Sequence, residues 1–141
     1  MPYIFPFEKL DVYRMALDLA DFVLGLLESI PLNRHFRLVS QMEAAVVSVA
    51  QNIAEGKGRQ YKKEFLQYLS IAQGSLYETI TLNEVFRRRK LFTEEESTEI
   101  IVNDLNKLTS TICHCERSEA ISGDCRVALL LAMTTFQGRS L

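Results

Sequence analysis

Two apolar seams run side by side through residues 7–30. Leu10, Tyr13, Leu17, Ala20, Leu24 and Leu27 recur at alternating steps of three and four, and so do Val12, Ala16, Leu19, Val23, Leu26 and Ile30. One seam suffices for a two-stranded contact. Two adjacent seams make the broad apolar face of a bundle helix and leave surface for a second partner. All three prolines, Pro2, Pro6 and Pro31, lie in the first quarter of the chain. Pro31 ends this first helix, and nothing beyond it forbids long helices.

The rest of the chain keeps the same period. A second helix is predicted to start near Asn33 or Arg34, to bury Val39, Met42, Val46, Val49 and Ile53, and to close at Gly56. Gly56 and Gly58 suit a C-cap and the tight turn after it, where positive φ is free of a Cβ clash. A third helix spans about 62–88, with Phe65, Leu69, Ala72, Leu76, Ile80 and Phe86 inside. Gly74 in its middle is explained most simply by close approach of a neighbouring backbone. A fourth helix opens at Thr93, whose Thr-Glu-Glu-Glu run reads as a capping box, and its stripe is Ile101, Leu105, Leu108 and Ile112. No segment alternates with period two, so no sheet is expected. The fold class is all-α, an antiparallel up-down four-helix bundle over residues 1–112.

At 141 residues and 48% hydrophobic, the chain has the size of one domain with a real core. A formal charge of −2 leaves nucleic-acid binding to local patches. The segment 1–7 lacks the basic start of a signal peptide, and no apolar run approaches a membrane span. Cys113, Cys115 and Cys125 are odd in number and crowd one end, unlike a secreted disulfide framework. A cytoplasmic protein without membrane contact is expected.

The motifs Phe7-Glu8-Lys9-Leu10-Asp11-Val12-Tyr13, Ser40-Gln41-Met42, Asn52-Ile53-Ala54-Glu55-Gly56, Gly58-Arg59 and Gly74-Ser75-Leu76-Tyr77-Glu78 resemble the four-helix-bundle proteins encoded in 23S rRNA intervening sequences. The resemblance covers about 7–112. It implies a bacterial, left-handed up-down bundle that assembles into a ring-like homopentamer. It also reaches the accessory variability determinant of diversity-generating retroelements, and so implies a nucleic acid or a nucleic-acid enzyme as partner. Glu43 and Gln73 stand where many such relatives carry arginine, and Tyr13 where tryptophan is usual.

Two basic clusters are the candidate nucleic-acid contacts. Lys57, Arg59, Lys62 and Lys63 gather at the loop after helix two; Arg87, Arg88, Arg89 and Lys90 follow helix three. In an up-down bundle they lie at opposite ends, so a continuous surface requires repetition around a ring. Phosphate binding needs several converging cations. The competing reading of 87–90 is plain complementarity to the C-terminal end of the helix dipole. Asn52 and Glu55, with Gly56 and Gly58, read as a structural turn in which Glu55 pairs with Arg59.

Cys113, His114, Cys115 and Cys125 number four, but their spacing suits no tetrahedral knuckle, and no metal or other cofactor is expected. His35 and the scattered hydroxyls show no nucleophile–base spacing, so neither catalysis nor a small-molecule substrate is expected. From Cys113 onward the composition shifts. Residues 113–141 look like the conceptual translation of a dispersed bacterial repeat element, with an apolar run at 127–133, and are expected as a short helix or disorder. The sequence therefore points to a non-enzymatic, oligomeric bundle whose basic loops meet RNA, DNA or a nucleic-acid enzyme. The alternative is a protein–protein scaffold without nucleic-acid affinity.

Overall fold

Helices account for all the regular structure in the computed structural model, which describes residues 4–119 (the backbone alone at 103, 104, 118 and 119). A 3₁₀ turn, Pro6–Lys9, leads into α1, Asp11–Leu27; α2 is Leu32–Lys57 and α3 is Lys62–Arg88. The fourth rod is composite: α4, Glu94–Glu99, runs through a π segment, Ile100–Leu105, into α5, Asn106–Glu119. α1 packs on α2, α2 on α3, α3 on α5, and α5 back on α1, which closes a four-helix bundle. None of the described helices is long and apolar enough to cross a membrane.

The two seams of α1 separate in the structure. Val12, Ala16, Leu19, Val23 and Ile30 are buried in the common core with Met42, Val46, Val49, Ile53, Leu69, Leu76 and Phe86. Each Val, Leu, Ile, Met or Phe side chain withdrawn this far from water contributes about 1.5–3 kcal/mol, so this cluster dominates the stability of the fold. The other seam is only partly covered. Ala20 and Leu27 are buried, but Tyr13 and Leu24 are half-buried and Leu17 is 44% exposed.

Helix starts follow local chemistry. At Thr93 the hydroxyl accepts from the Glu96 N–H at 3.1 Å, and the Glu96 carboxylate accepts from the Thr93 N–H at 2.8 Å. This reciprocal pair is the capping box. α2 opens at Leu32 behind Pro31, but His35 (φ −127°, ψ 16°) leaves the helical region and kinks its first turn.

Three expectations need correction. The fourth helix buries Ile100 with Leu105, Leu108 and Ile112, while Ile101 is only partly covered. A turn closed by i→i+5 bonds brings residues five apart to one face, so the π segment sets Ile100 above Leu105. None of the described glycines has positive φ, and Gly58 caps α2 at φ −75°. At Gly74 nothing among the described residues lies within 4 Å of where a Cβ would sit. Apart from these, regular helix runs on past Ile112 to Glu119, within the segment expected as a short helix or disorder. Cys125 and the run 127–133 lie outside the described residues.

At the end of α3, Lys90 takes the left-handed conformation, φ 58°. Its N–H bonds the Arg87 carbonyl at 3.0 Å and the Leu91 N–H bonds the Phe86 carbonyl at 2.9 Å. These are the two bonds of a Schellman close, here with lysine where glycine is usual. Phe92 then folds back onto Phe86, with ring centroids 4.7 Å apart.

Candidate nucleic-acid interface

The segment that closes α2 and opens α3 is shaped by one small residue. A Cβ on Gly56 would lie 2.5 Å from the Tyr68 Cβ and 3.1 Å from Phe65 Cδ2. Glycine is needed here for close approach of α3, not for an unusual φ. That approach lays Tyr68 alongside the last turn of α2, within reach of Glu55 and Arg59. The Tyr68 hydroxyl donates to Glu55 Oε1 at 2.9 Å, and Arg59 Nη2 donates to the Tyr68 hydroxyl at 2.6 Å and to Glu55 Oε1. The guanidinium also lies 5.0 Å from the Tyr68 ring centroid.

This clamp is electrostatically self-consistent. The Tyr68 hydroxyl, and then Arg59, hold the Glu55 carboxyl below its ordinary pKa. Glu55 and Tyr68 together raise that of Arg59. The pair is exposed, so its worth lies in orientation more than in stability. Lys57 is positioned in a similar way, its Nζ 5.5 Å over the ring of Phe65. Lys62 and Lys63 open α3 on the exposed side. Two acids, Glu55 and Glu64, stand among these four cations within 55–64.

The remaining predicted turn residue has a different task. Asn52 Nδ2 donates back to the Ser48 carbonyl at 2.7 Å and to its hydroxyl at 3.0 Å. The Ser48 hydroxyl in turn meets that of Ser75 on α3 at 2.9 Å. Asn52 thus belongs to the α2–α3 seam, one turn before the clamp. Ile53 beside it is fully buried.

The second basic cluster lies at the far end of α3, a 27-residue helix about 40 Å long. Arg87 grips both oxygens of Glu84 at 2.8 Å and reaches Glu94 at 2.9 Å, and Arg88 bonds Glu84 at 2.7 Å. The Arg87 hydrogen bonds, with those of Arg88, pull the Glu84 carboxyl down to about 2. Arg87 itself is raised, chiefly by Glu84. Two of the four cations are therefore neutralised within the fold, and Arg89 and Lys90 remain exposed beside them. The structure brings Lys57, Arg59, Lys62 and Lys63 together and keeps Arg87, Arg88, Arg89 and Lys90 apart from them.

Sequence reasoning did not reach Tyr68. Its only sequence signal is an aromatic on the outer side of α3, one turn after the Phe65 that Lys57 covers. The surface that the double seam of α1 was expected to leave for a second partner is a groove between α1 and α2. The half-open seam residues Tyr13, Leu17 and Leu24 form one wall with Phe7 at the end, and Val47 and Ala50 form the other, around some 460 Å³. Ala54, immediately before the clamp, lines the same groove, so the apolar surface runs up to the basic loop. Among the described residues no three His, Cys, Asp or Glu side chains converge as metal ligands. Cys113 instead accepts from Gln73 Nε2 at 2.8 Å, tying α5 to α3.

An all-helical bundle with a glycine-enabled clamp at the α2–α3 corner and a cationic loop beyond it is the class these elements define. The model of the 23S rRNA-intervening sequence protein family matches residues 8–114, and the chain belongs to that family. The match covers all four rods and ends within α5. No curated protein matches the chain.

Proposed function

We propose that the protein is a non-enzymatic assembly module whose oligomer presents the α2–α3 loop to nucleic acid. The observation that carries this reading is the loop itself. Four cations gather on one short connection, and Lys57 and Arg59 are held in place by the rings of Phe65 and Tyr68. Preordered cations bind phosphate without first losing their rotamer freedom, and each phosphate neutralised releases counterions. Arg89 and Lys90 at the opposite end form a weaker second set, since Glu84 and Glu94 already engage their neighbours.

A single loop offers few contacts, so useful affinity requires repetition. The groove between α1 and α2 supplies a means: an apolar seam left half-open in one chain is covered when a second copy packs against it. A closed ring, a pentamer as the family resemblance implies, sets the basic loops around one end. The groove also favours the second reading, a protein–protein scaffold, because its chemistry is indifferent to phosphate.

Charge reversal separates the two. Lys62→Glu with Lys63→Glu should weaken RNA and DNA binding and lower the slope of log affinity against log salt by about 1–2. Binding that is unaltered by the double substitution removes this loop as the site. An oligomer that ignores nucleic acid at every salt concentration is the scaffold.

A further inference from the structure

The basic loop carries one aromatic side chain that the fold does not use. Phe65 is buried beneath Lys57, and Tyr68 is engaged by Arg59 and Glu55. Tyr61 is different. It is the N-cap residue of α3, in extended conformation (φ −108°, ψ 137°), and is 66% exposed. Its backbone is fixed: the carbonyl accepts from the N–H groups of Glu64 and Phe65 at 3.1 and 3.2 Å, and its own N–H reaches Glu64 Oε2 at 3.4 Å. Its ring has no hydrogen-bonding or stacking partner among the described residues. A flat ring of low rotamer freedom is thus held on a rigid helix start, between Arg59 and Gln60 on one side and Lys62 and Lys63 on the other.

Cations alone take a phosphate backbone in any form. An open ring among them adds a requirement, because a base can stack on it only when it is not already stacked and paired inside a duplex. The far cluster makes the contrast. Its aromatic neighbour, Phe92, is buried against Phe86, so Arg89 and Lys90 have no open platform beside them among the described residues.

We infer that the α2–α3 loop is a single-strand site, in which an unpaired base stacks on Tyr61 while Lys57, Arg59 and Lys63 take the flanking phosphates. The inference rests on the nucleic-acid reading above and narrows it to one class of ligand. Arg59 can serve while clamped, because its bonds to Glu55 and Tyr68 both come from Nη2, which leaves the donors of Nη1 and Nε.

The test is fluorescence anisotropy of the full chain with labelled single-stranded RNA, single-stranded DNA and a DNA duplex of the same mixed sequence. Wild type, Tyr61→Ala and Tyr61→Phe are compared across a salt series. Removing one stacked base should weaken single-strand binding about 5- to 100-fold in Tyr61→Ala. Tyr61→Phe should stay within about twofold of wild type, since it keeps the π-face. Duplex affinity and the salt slope should not move, because no phosphate contact is lost. Tyr61→Ala binding single strands like wild type, or losing affinity for duplex and single strand alike, overturns the inference. So does a wild-type preference for duplex. A wild type that binds none of the three fails earlier, at the nucleic-acid reading itself. Far-UV circular dichroism confirms that the variants are folded.

Discussion

Gly56→Ala is the substitution whose outcome the geometry constrains most tightly. In an open helical position this change stabilises by up to about 1 kcal/mol through helix propensity. Here the new methyl would meet the Tyr68 Cβ at 2.5 Å and the Tyr68 Cγ at 3.2 Å. A Cβ moves only with its backbone, so relief means pushing α3 away from α2 along their tightest contact. Overpacking of this kind costs about 1–3 kcal/mol. Set against that gain, the net is a destabilisation of up to about 2 kcal/mol, or a fall of up to about 10 °C in Tm for a domain of this size. The displaced ring also loosens its 2.9 Å bond to Glu55, so the carboxyl should titrate nearer its ordinary value. Thermal denaturation read by circular dichroism measures the first effect, and carbon-detected NMR titration the second. Gly25→Ala is the internal control: nothing among the described residues lies within 4 Å of its Cβ position, and its Tm should rise. If Gly56→Ala raises Tm alongside Gly25→Ala, the close-approach account of this glycine is wrong.

Other consequences follow from single features. Lys90→Gly should stabilise by about 1 kcal/mol, because lysine in the left-handed conformation carries a strain glycine lacks; an unchanged or lowered urea midpoint would contradict the Schellman assignment. Glu84 has a folded-state pKa of about 2, below its unfolded value near 4.5, so its contribution to stability is complete above the unfolded value and fades as pH falls from there to about 2. Urea midpoints across that window should drop more steeply in wild type than in Glu84→Gln, and equal slopes would mean the Arg87 and Arg88 bonds are not made in solution. Leu17→Glu places a charge in the half-open groove, and the solution mass should fall towards the 16.1 kDa monomer with helicity retained. A mass unchanged from wild type would put the contact between copies elsewhere.

What could be read ahead of the structure was whatever depends on near neighbours in sequence. The third helix falls at Lys62–Arg88 as the spacing indicates, and the capping box at Thr93 forms because both of its bonds join residues three apart. The double seam was also legible, but not which seam the core would take, since that depends on where α2 and α5 pack. The π segment escaped because a 3.6-residue period points to Ile101, and only the packed rod shows that Ile100 fills the core. Gly56 was correctly marked as special for the wrong reason: its constraint is a tyrosine that arrives from another helix. The pairing of Glu55 with Arg59 could be read from a four-residue spacing, whereas Tyr68 and the reach of Arg87 to Glu94 could not.

The central claim joins two properties, self-association through the α1–α2 groove and phosphate binding by the loop beside it. Light scattering of the purified chain, alone and with short single-stranded RNA at low and then moderate salt, addresses both at once. The account predicts a mass several times the 16.1 kDa of one chain, rising as RNA is taken up at low salt and falling back as salt displaces it. A monomer, or an oligomer whose mass is indifferent to RNA at either salt, would contradict it.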